Sequence, residues 1–234
     1  MLHSVSDLVH IYSIKPSGVL HVGAHRGEES LDYQKYDWGN VVWVEAQPDL
    51  VLGLINSMSA RENTVIEAAV YDKSGVELKF NFASNGQSSS LLDLGSHARS
   101  YPEIKYTRST TVITKRLDEI IPIVGFADFL NIDIQGVELN ALKGLGSRIN
   151  EFKWIYTEVN KSEVYIDCTL IGDLDDYLTG FGFKRISTRW TIGKGWGDAL
   201  YSNQKISMTY IQRVRAVFSD LKFVLGQIRG NWIN

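Results

Sequence analysis

The chain has 234 residues, of which 44% are hydrophobic and 22% are charged, and its formal net charge is -3 at pH 7. This length supports one large domain with its own core, and the composition is ordinary for a globular protein. The slightly acidic balance provides no general electrostatic attraction to nucleic acid, so we expect no nucleic-acid partner.

The first half of the chain alternates short apolar strands with helices. The predicted strands are Val19–Val22, Val41–Glu45 and Thr64–Val70. Helices are predicted between them, at Glu28–Tyr36 and at Pro48–Met58, since proline suits a first helical turn. A half-exposed strand, Val76–Phe82, follows because apolar and polar residues alternate there.

The same alternation continues in the second half. Buried strands are predicted at Phe126–Asp133 and Phe152–Val159, with a helix at Glu138–Leu145 between them. Residues 172–187 indicate a helix, a glycine stop and a strand, and residues 198–203 a final strand. Strands that alternate with helices predict an α/β fold with a doubly wound, mostly parallel sheet.

Two segments depart from this alternation. Residues Ser84–Ser109 have no sustained period, and a loop of that length in a compact domain is typical of a lid or binding loop. In the tail after residue 204, apolar residues recur at helical spacing: Ile211, Val214, Phe218, Leu221, Leu225 and Ile228. The chain therefore divides into a domain of residues 1–204 and a basic amphipathic C-terminal helix within residues 205–234.

Three acidic residues stand at the ends of predicted strands. Glu45, Asp133 and Glu158 each close a buried strand. In an open parallel sheet, ligands bind at the carboxyl ends of the strands. Burying three carboxylates there without partners would be unfavourable, so we interpret them together as a functional cluster.

The turn after the first strand indicates the kind of ligand. Gly23 and Gly27 allow a ligand to approach the backbone, and Glu45 can accept hydrogen bonds from both hydroxyls of a ribose. An adenosine-type cofactor is therefore expected. Nicotinamide dinucleotides need G-x-G-x-x-G for their pyrophosphate, whereas His25 occupies the position of the middle glycine. S-adenosylmethionine has no phosphate, so this spacing favours it. A nicotinamide-dependent oxidoreductase and a non-catalytic binding module remain the alternatives.

Four segments carry a resemblance to a known family: "LHVGAHRGEE", "VVWVEAQP", "FLNIDIQGVELNALKG" and "IYTEVN". Together with the late "WGDALY" they resemble the FkbM-type S-adenosylmethionine-dependent methyltransferases over roughly residues 18–203. Gln135 stands where many members carry Glu, and His25 where many carry Asn. The resemblance implies a class I methyltransferase fold, with seven strands of which the last is antiparallel. It also implies O-methylation of sugars or natural-product hydroxyls.

On this interpretation the cofactor is S-adenosyl-L-methionine and the product is S-adenosyl-L-homocysteine. The residues expected to contact the cofactor follow the first three strands and the strand that ends at residue 133. They are Gly23, Ala24, His25, Gly27, Glu28, Glu45, Ala46, Gln47, Ala69, Val70 and Asp133.

Asp133 is the first candidate for a general base, because its strand ends beside the expected position of the methyl group. It could also orient the cofactor or cap the following helix, and His25 and Glu158 are the other catalytic candidates.

Asp133, Glu158 and Asn160 supply hard oxygen ligands suited to Mg²⁺. No tight ligand spacing supports such a site, so the sequence does not favour a metal.

The acceptor is expected to be a small molecule or a glycan. Its candidate contacts are Ser88, Ser89, Gln135, Asn160 and Trp196, which are polar or aromatic residues of the long loop, the strand ends and a glycine-rich turn. The C-terminal helix is expected to pack on the domain or to form a homodimer contact, and a peripheral membrane contact is the alternative.

Cysteine use bears on the compartment. Cys168 is the single cysteine, which excludes an intramolecular disulfide and indicates a reducing environment. The N-terminal residues lack the basic region of a secretion signal, and no apolar stretch is long enough to cross a bilayer. The expected location is the cytoplasm, with membrane-peripheral attachment if the helix contacts lipid.

Overall fold

A computed structural model of the chain describes residues 1–58, 63–121 and 126–230. The helices are α1 (Val5–His10), α2 (Ser30–Lys35), α3 (Pro48–Met58), α4 (His97–Ser100), α5 (Leu117–Ile120), α6 (Glu138–Leu145), α7 (Ile171–Gly180) and α8 (Tyr210–Ile228). The strands are β1 (Gly18–Val22), β2 (Asn40–Glu45), β3 (Thr64–Glu67), β4 (Ala69–Val70), β5 (Glu77–Ala83), β6 (Tyr106–Lys115), β7 (Phe129–Ile132), β8 (Trp154–Asn160), β9 (Lys184–Trp190) and β10 (Trp196–Ser202).

The main sheet has seven strands in the order β3-β2-β1-β7-β8-β10-β9. Strands β1, β2, β3, β7 and β8 pair in parallel, whereas β10 runs antiparallel to both of its neighbours, β8 and β9. Every residue of β1 and β7 is buried, as expected for strands covered by helices on both faces. The predicted seven-stranded sheet with an antiparallel last strand is confirmed.

Helices cover both faces of this sheet and create two cores. On one face, Leu142 of α6 and Leu174 of α7 pack against strand residues such as Leu130. On the other face, Leu8 of α1 and Leu54 of α3 join an aromatic group that includes Trp38 and Trp43. Burying this apolar surface is the main force that holds the sheet and helices together.

A second sheet of three strands, β4-β6-β5, corrects two predictions. The expected strand Thr64–Val70 is divided at Ala68, because β3 pairs with β2 while β4 turns away to pair with β6. The expected loop Ser84–Ser109 contains α4 and the beginning of β6, which pairs antiparallel with β5. The irregular part of the segment is therefore shorter than predicted.

The C-terminal helix α8 packs on the domain with most of its regularly spaced apolar residues turned to solvent. Phe223 is buried, whereas Phe218 and Ile228 are 68% and 69% exposed. Asp220 binds Arg189 of β9 with a 2.9 Å contact to Nε. The last four residues of the predicted tail, 231–234, lie outside the described residues. Among the helices that the structure describes, none combines the length and apolar character needed to cross a bilayer.

Candidate active site

A cleft of about 550 Å³, open to solvent, lies at the carboxyl edge of the main sheet. This is where an open parallel sheet is expected to bind ligands. Eight of the eleven predicted cofactor residues line it: Gly23, His25, Glu45, Ala46, Gln47, Ala69, Val70 and Asp133. The predicted acceptor residues Ser89 and Gln135 line it as well.

Three predicted cofactor residues lie outside the cleft wall, for three different reasons. Ala24 is buried in the core beneath the turn. A side chain at Gly27 would come within 2.5 Å of Met58 Cε, so this glycine makes room for α3. Glu28 turns toward His25, whose Nδ1 lies 2.6 Å from Glu28 Oε1. The second glycine of the turn therefore serves packing, not the ligand.

Gly23 is needed where the turn passes the neighbouring strand. Its φ is +81°, and a side chain there would lie 1.8 Å from the backbone oxygen of Asp133. Only glycine allows this close approach without displacing the end of β7. Gly23 thereby brings the turn after β1 against the backbone of Asp133, the residue that follows β7.

His25 and Glu28 form a polar pair at the mouth of the same turn. The φ of His25 is +47°, an uncommon conformation for a non-glycine residue. Burial opposes ionisation of Glu28, but hydrogen bonds from His25 and from the backbone outweigh it and lower the pKa of Glu28 to about 2. Glu28 is therefore a permanent acceptor that holds the His25 ring.

Glu45 organises the turns that follow β1 and β2. Its Oε2 accepts from the backbone N–H of His25 at 2.8 Å, and its Oε1 accepts from Ala46 and Gln47 at 2.9 Å each. Burial raises the pKa of Glu45, and the three backbone bonds oppose that rise. Because an ionised carboxylate offers about four acceptor positions, one position remains, on Oε2. The expected contact of Glu45 with a ribose stays a prediction, and the structure leaves it this one acceptor position.

Gln135 joins the two carboxylates at the ends of β7 and β8. Its Nε2 donates to Asp133 Oδ1 at 2.5 Å and to Glu158 Oε2 at 2.9 Å. Its Oε1 accepts from the hydroxyl of Tyr165, and its backbone oxygen accepts from Ser90 Oγ at 2.7 Å. The φ of Gln135 is +58°, a conformation that these surrounding contacts hold in place.

Glu138 is a third carboxylate at this position. Its Oε1 accepts from the backbone N–H groups of Ile134 and Gly136 at 3.0 Å each, so it shapes the turn between β7 and α6. Burial raises the pKa of Glu138 to about 7, although the two backbone bonds oppose the rise. The folded chain therefore favours the protonated form of this carboxyl group more than the unfolded chain does.

The pKa values of the other two carboxyl groups are also raised. Burial raises the pKa of Glu158 well above its ordinary value, and the nearby Asp133 and Glu138 raise it further. The pKa of Asp133 is also raised, by the surrounding protein first and by Asp198 second. Asp133 keeps an exposed surface toward the cleft, and the water there limits the rise. Among the three, Asp133 alone lines the cleft.

One oxygen from each of Asp133, Glu138 and Glu158 lies within 4.8 Å of the others, so these three residues could hold a cation. Glu138 was not among the predicted ligands. The amide of Gln135 takes the position between Asp133 and Glu158, where it supplies two hydrogen bonds. A neutral donor thus links the two carboxylates at the place where a cation would balance their charge.

Four predicted acceptor residues contact other parts of the protein or lie in its interior. Ser89 Oγ donates to the backbone oxygen of Gly86 at 2.7 Å, and Ser88 Oγ accepts from Asn85. Asn160 is buried beside Glu158. The half-buried Trp196 donates from Nε1 to Tyr101 at 3.2 Å. Ser88, Asn160 and Trp196 do not line the cleft.

Sequence reasoning missed two residues that build the site. Glu138 lies inside the "IDIQGVELNALKG" segment, where its position in the motif was a usable signal. Tyr165 is 1% exposed and supports Gln135 from the connection that follows β8, thirty residues along the chain. No local pattern marks it.

The cleft has the chemistry that an adenosine-type cofactor requires. Apolar side chains at one end can enclose an adenine: Val44, Ala68, Val70, Phe80, Leu91 and Val137. The remaining acceptor position of Glu45 lies beside them and suits one ribose hydroxyl. The turn at Gly23 and the carboxylate of Asp133 complete the polar end, where a charged amino-acid portion can bind.

The chain is similar to several solved structures at low sequence identity. The ribosomal protein L11 methylase from Lactobacillus delbrueckii subsp. bulgaricus is 11% identical, with 85% of this chain and 77% of that chain covered and a TM-score of 0.50. A SAM dependent methyltransferase from Aquifex aeolicus is 13% identical, with 87% and 91% covered and a TM-score of 0.48. The 1,6-didemethyltoxoflavin-N1-methyltransferase of Burkholderia thailandensis, solved with S-adenosylhomocysteine, is 10% identical, with 87% and 78% covered and a TM-score of 0.49.

The family comparison is more specific than these likenesses. No match was found among curated proteins. The model of the methyltransferase FkbM domain matches residues 21–185, which include the turn after β1, Glu45 and the whole carboxylate cluster. The chain therefore belongs to the FkbM methyltransferase family and is an S-adenosylmethionine-dependent methyltransferase with the class I fold.

Proposed function

We propose that the chain transfers a methyl group to a hydroxyl oxygen of a sugar or natural-product acceptor, with Asp133 as the general base. The observation that supports this most is the placement of Asp133. It lines the cleft, its pKa is raised by the surrounding protein, and Gln135 holds its carboxylate at 2.5 Å. A carboxylate of raised pKa is a better proton acceptor than an ordinary one.

When bound, S-adenosylmethionine supplies an electrophilic methyl group on a positively charged sulfur. The chain supplies the rest. Gly23 and Glu45 shape the end of the cleft that binds the cofactor. Asp133 accepts the proton of the acceptor hydroxyl as the hydroxyl oxygen becomes nucleophilic. Holding the two reactants in line can lower the barrier by about 7–11 kcal/mol, whereas a general base contributes a factor of about 10²–10⁴. Positioning is therefore the larger contribution.

A polar, ring-shaped acceptor suits the residues beyond Asp133. Gln135 and Ser89 offer polar groups at the cleft wall. Outside the cleft wall, Trp196 packs against Tyr165 and donates a hydrogen bond of 3.2 Å to Tyr101. Aromatic side chains with polar tips pack well against sugar rings, which have one apolar face and several hydroxyls. We therefore assign the acceptor to the class of hydroxyl-rich small molecules or glycans.

The experiment uses S-adenosylmethionine that carries a ¹³C-labelled methyl group and a panel of sugars and hydroxylated natural products. NMR of the product distinguishes a methyl on oxygen from one on nitrogen or carbon. We expect an O-methyl product. An N-methyl or C-methyl product would contradict the proposal while leaving the methyltransferase assignment intact.

With an acceptor in hand, Asp133→Asn tests the base. The variant keeps the shape of the side chain and removes the proton acceptor, so turnover should fall by about 10²–10⁴ while S-adenosylhomocysteine affinity changes little. Asp32→Asn is the matched control, because Asp32 is an exposed carboxylate on α2 that does not line the cleft. Full activity of Asp133→Asn would exclude the base. If a chelator abolished wild-type activity and Mg²⁺ restored it, a metal-dependent mechanism would replace the general-base mechanism.

A further inference from the structure

The outer face of α8 is apolar and is exposed to solvent. Of the fifteen large hydrophobic residues that are exposed in the described part of the chain, eight lie on this one helix, with exposed fractions from 39% to 82%. They are Tyr210, Ile211, Val217, Phe218, Leu221, Val224, Leu225 and Ile228. Such a concentration of exposed apolar side chains on one helix is unusual on a monomer and marks an interaction surface.

The opposite face of the helix fixes its orientation on the domain. Ser219 Oγ accepts from Arg189 and donates to Asp7 Oδ2, both at 2.8 Å. Gln212 Nε2 donates to Ser13 Oγ at 2.7 Å near the start of the helix. Polar contacts along the inner face therefore hold α8, and turning its apolar side inward would break them. The apolar face is therefore exposed while the helix is docked on the domain.

Basic side chains run along one edge of the apolar face. Arg215, Lys222 and Arg229 are seven residues apart, so they lie on the same side of a helix with 3.6 residues per turn. None of the three forms an ion pair within the described part of the chain. An apolar face bordered by cations is the arrangement found in helices that lie in a membrane surface. The apolar residues enter the acyl boundary, and the cations meet acidic headgroups.

We propose that α8 is an in-plane anchor that binds an anionic membrane surface. A second copy of the chain is less suited to this face. If two copies paired antiparallel around a twofold axis, each row of Arg215, Lys222 and Arg229 would lie against the same row of its partner. Like charges at such an edge destabilise the pair. A negatively charged lipid surface complements the row instead.

The end of α8 lies at the same edge of the sheet as the cleft. Gln227 Nε2 donates to the backbone oxygen of Trp190 at 3.1 Å, and its Oε1 accepts from the N–H of Ile192 at 2.6 Å. Trp190 ends β9, which runs parallel to β8, and Ile192 is exposed. The bound helix would therefore hold the carboxyl edge of the sheet close to the membrane.

Vesicle flotation of the full chain tests this inference. Wild-type protein should float with vesicles of phosphatidylcholine and phosphatidylglycerol, and less with phosphatidylcholine alone. The Phe218→Gln/Leu221→Gln variant should bind at least tenfold more weakly, because two side chains that enter the acyl boundary are lost. The matched control is Leu52→Gln, an exposed leucine on α3, which should float like wild type.

A second variant separates the charges from the apolar face. Arg215→Gln/Lys222→Gln/Arg229→Gln should bind the anionic vesicles about a hundredfold more weakly, since each cation near such a surface contributes about fivefold. Unchanged S-adenosylhomocysteine binding would show that each variant is folded. Absence of wild-type binding to anionic vesicles at low salt would overturn the inference. A lipid-free dimer that Phe218→Gln/Leu221→Gln dissociates would overturn it too, in favour of a second copy.

Discussion

The amide nitrogen of Gln135 donates to Glu158 Oε2 at 2.9 Å, and the same nitrogen donates to Asp133. One neutral side chain therefore orders two carboxylates that would otherwise repel each other. The hydrogen bond from Gln135 opposes the rise in the pKa of Asp133, because it stabilises the charged form. Gln135 is thus a positioning residue that sets both the geometry and the basicity of the site.

Removal of this donor should change the titration of Asp133. Gln135→Met has a similar volume and no hydrogen-bond donor, so the pKa of Asp133 should rise and the acid limb of the activity profile should move to higher pH. Carboxyl ¹³C NMR of the apoprotein measures the titration directly. Gln87→Met, which changes another glutamine of the cleft wall, is the control. An unchanged Asp133 titration in Gln135→Met would contradict this role.

Glu138 should make the fold less stable as pH rises through the acidic range. Burial raises its pKa from 4.5 to about 7, so the folded chain binds more protons than the unfolded chain between these values. The free energy of unfolding should therefore fall between about pH 4.5 and pH 7, by up to about 3 kcal/mol, and then level off.

Urea unfolding across this pH range measures that slope. Glu138→Gln keeps an oxygen for the two backbone donors and cannot ionise, so its stability should depend much less on pH. The control, Glu77→Gln, changes an exposed carboxyl group on β5 and should keep the wild-type slope. Equal slopes for wild type and Glu138→Gln would show that Glu138 is not the responsible group.

Glu45 should contribute to cofactor affinity through one ribose hydroxyl. Glu45→Ala should weaken S-adenosylhomocysteine binding at least tenfold, since a hydrogen bond to a charged group contributes about 1.5–3 kcal/mol. The variant also leaves the N–H groups of His25, Ala46 and Gln47 without their acceptor, which loosens both turns.

A ribose-modified ligand separates these two effects. Calorimetry with the 2′,3′-dideoxy form of S-adenosylhomocysteine measures the effect of the turns alone. The affinity loss on Glu45→Ala should be smaller for this ligand than for the unmodified one. Equal losses for both ligands would mean that Glu45 acts only on the turns and does not contact the ribose.

Cofactor binding should slow hydrogen exchange in the first part of the segment Ser84–Ser109 and leave the later part unchanged. Gly86, Ser89 and Leu91 line the cleft, whereas α4 is held by the backbone of the connection after β8. Hydrogen exchange at residues 84–91 should be faster than in the central strands and should slow when S-adenosylhomocysteine binds. Residues 97–105 provide the internal control. Protection of residues 84–91 equal to that of β1 in the apoprotein would contradict a lid.

The main sheet could be predicted because its central strands β1, β2 and β7 are buried on both faces and form continuous apolar runs. Strand β6 could not, since most of its residues are exposed and polar, with threonines that fit a strand or a loop equally well. The break at Ala68 depends on the pairing of Ala69 with Thr114, a distant partner that no local pattern reveals.

The site was partly predictable for a related reason. Parallel strands end at one edge, so Glu45, Asp133 and Glu158 could be placed at that edge from the chain order alone, whereas the close cluster contains Glu138 in place of Glu45. Tyr165 reaches Gln135 only through the folded connection after β8. Helical period shows which residues of α8 share a face, but Arg189 decides which face meets the domain.

Calorimetric titration of the purified chain with S-adenosylhomocysteine and, separately, with NAD⁺ tests the central claim most directly. The cleft offers an apolar end and one acceptor position on Glu45. His25 occupies the position at which a turn that binds a pyrophosphate has a glycine. We predict saturable binding of S-adenosylhomocysteine at one site per chain and no measurable binding of NAD⁺. Saturable binding of NAD⁺ without binding of S-adenosylhomocysteine would contradict the assignment of this cleft to methyl transfer.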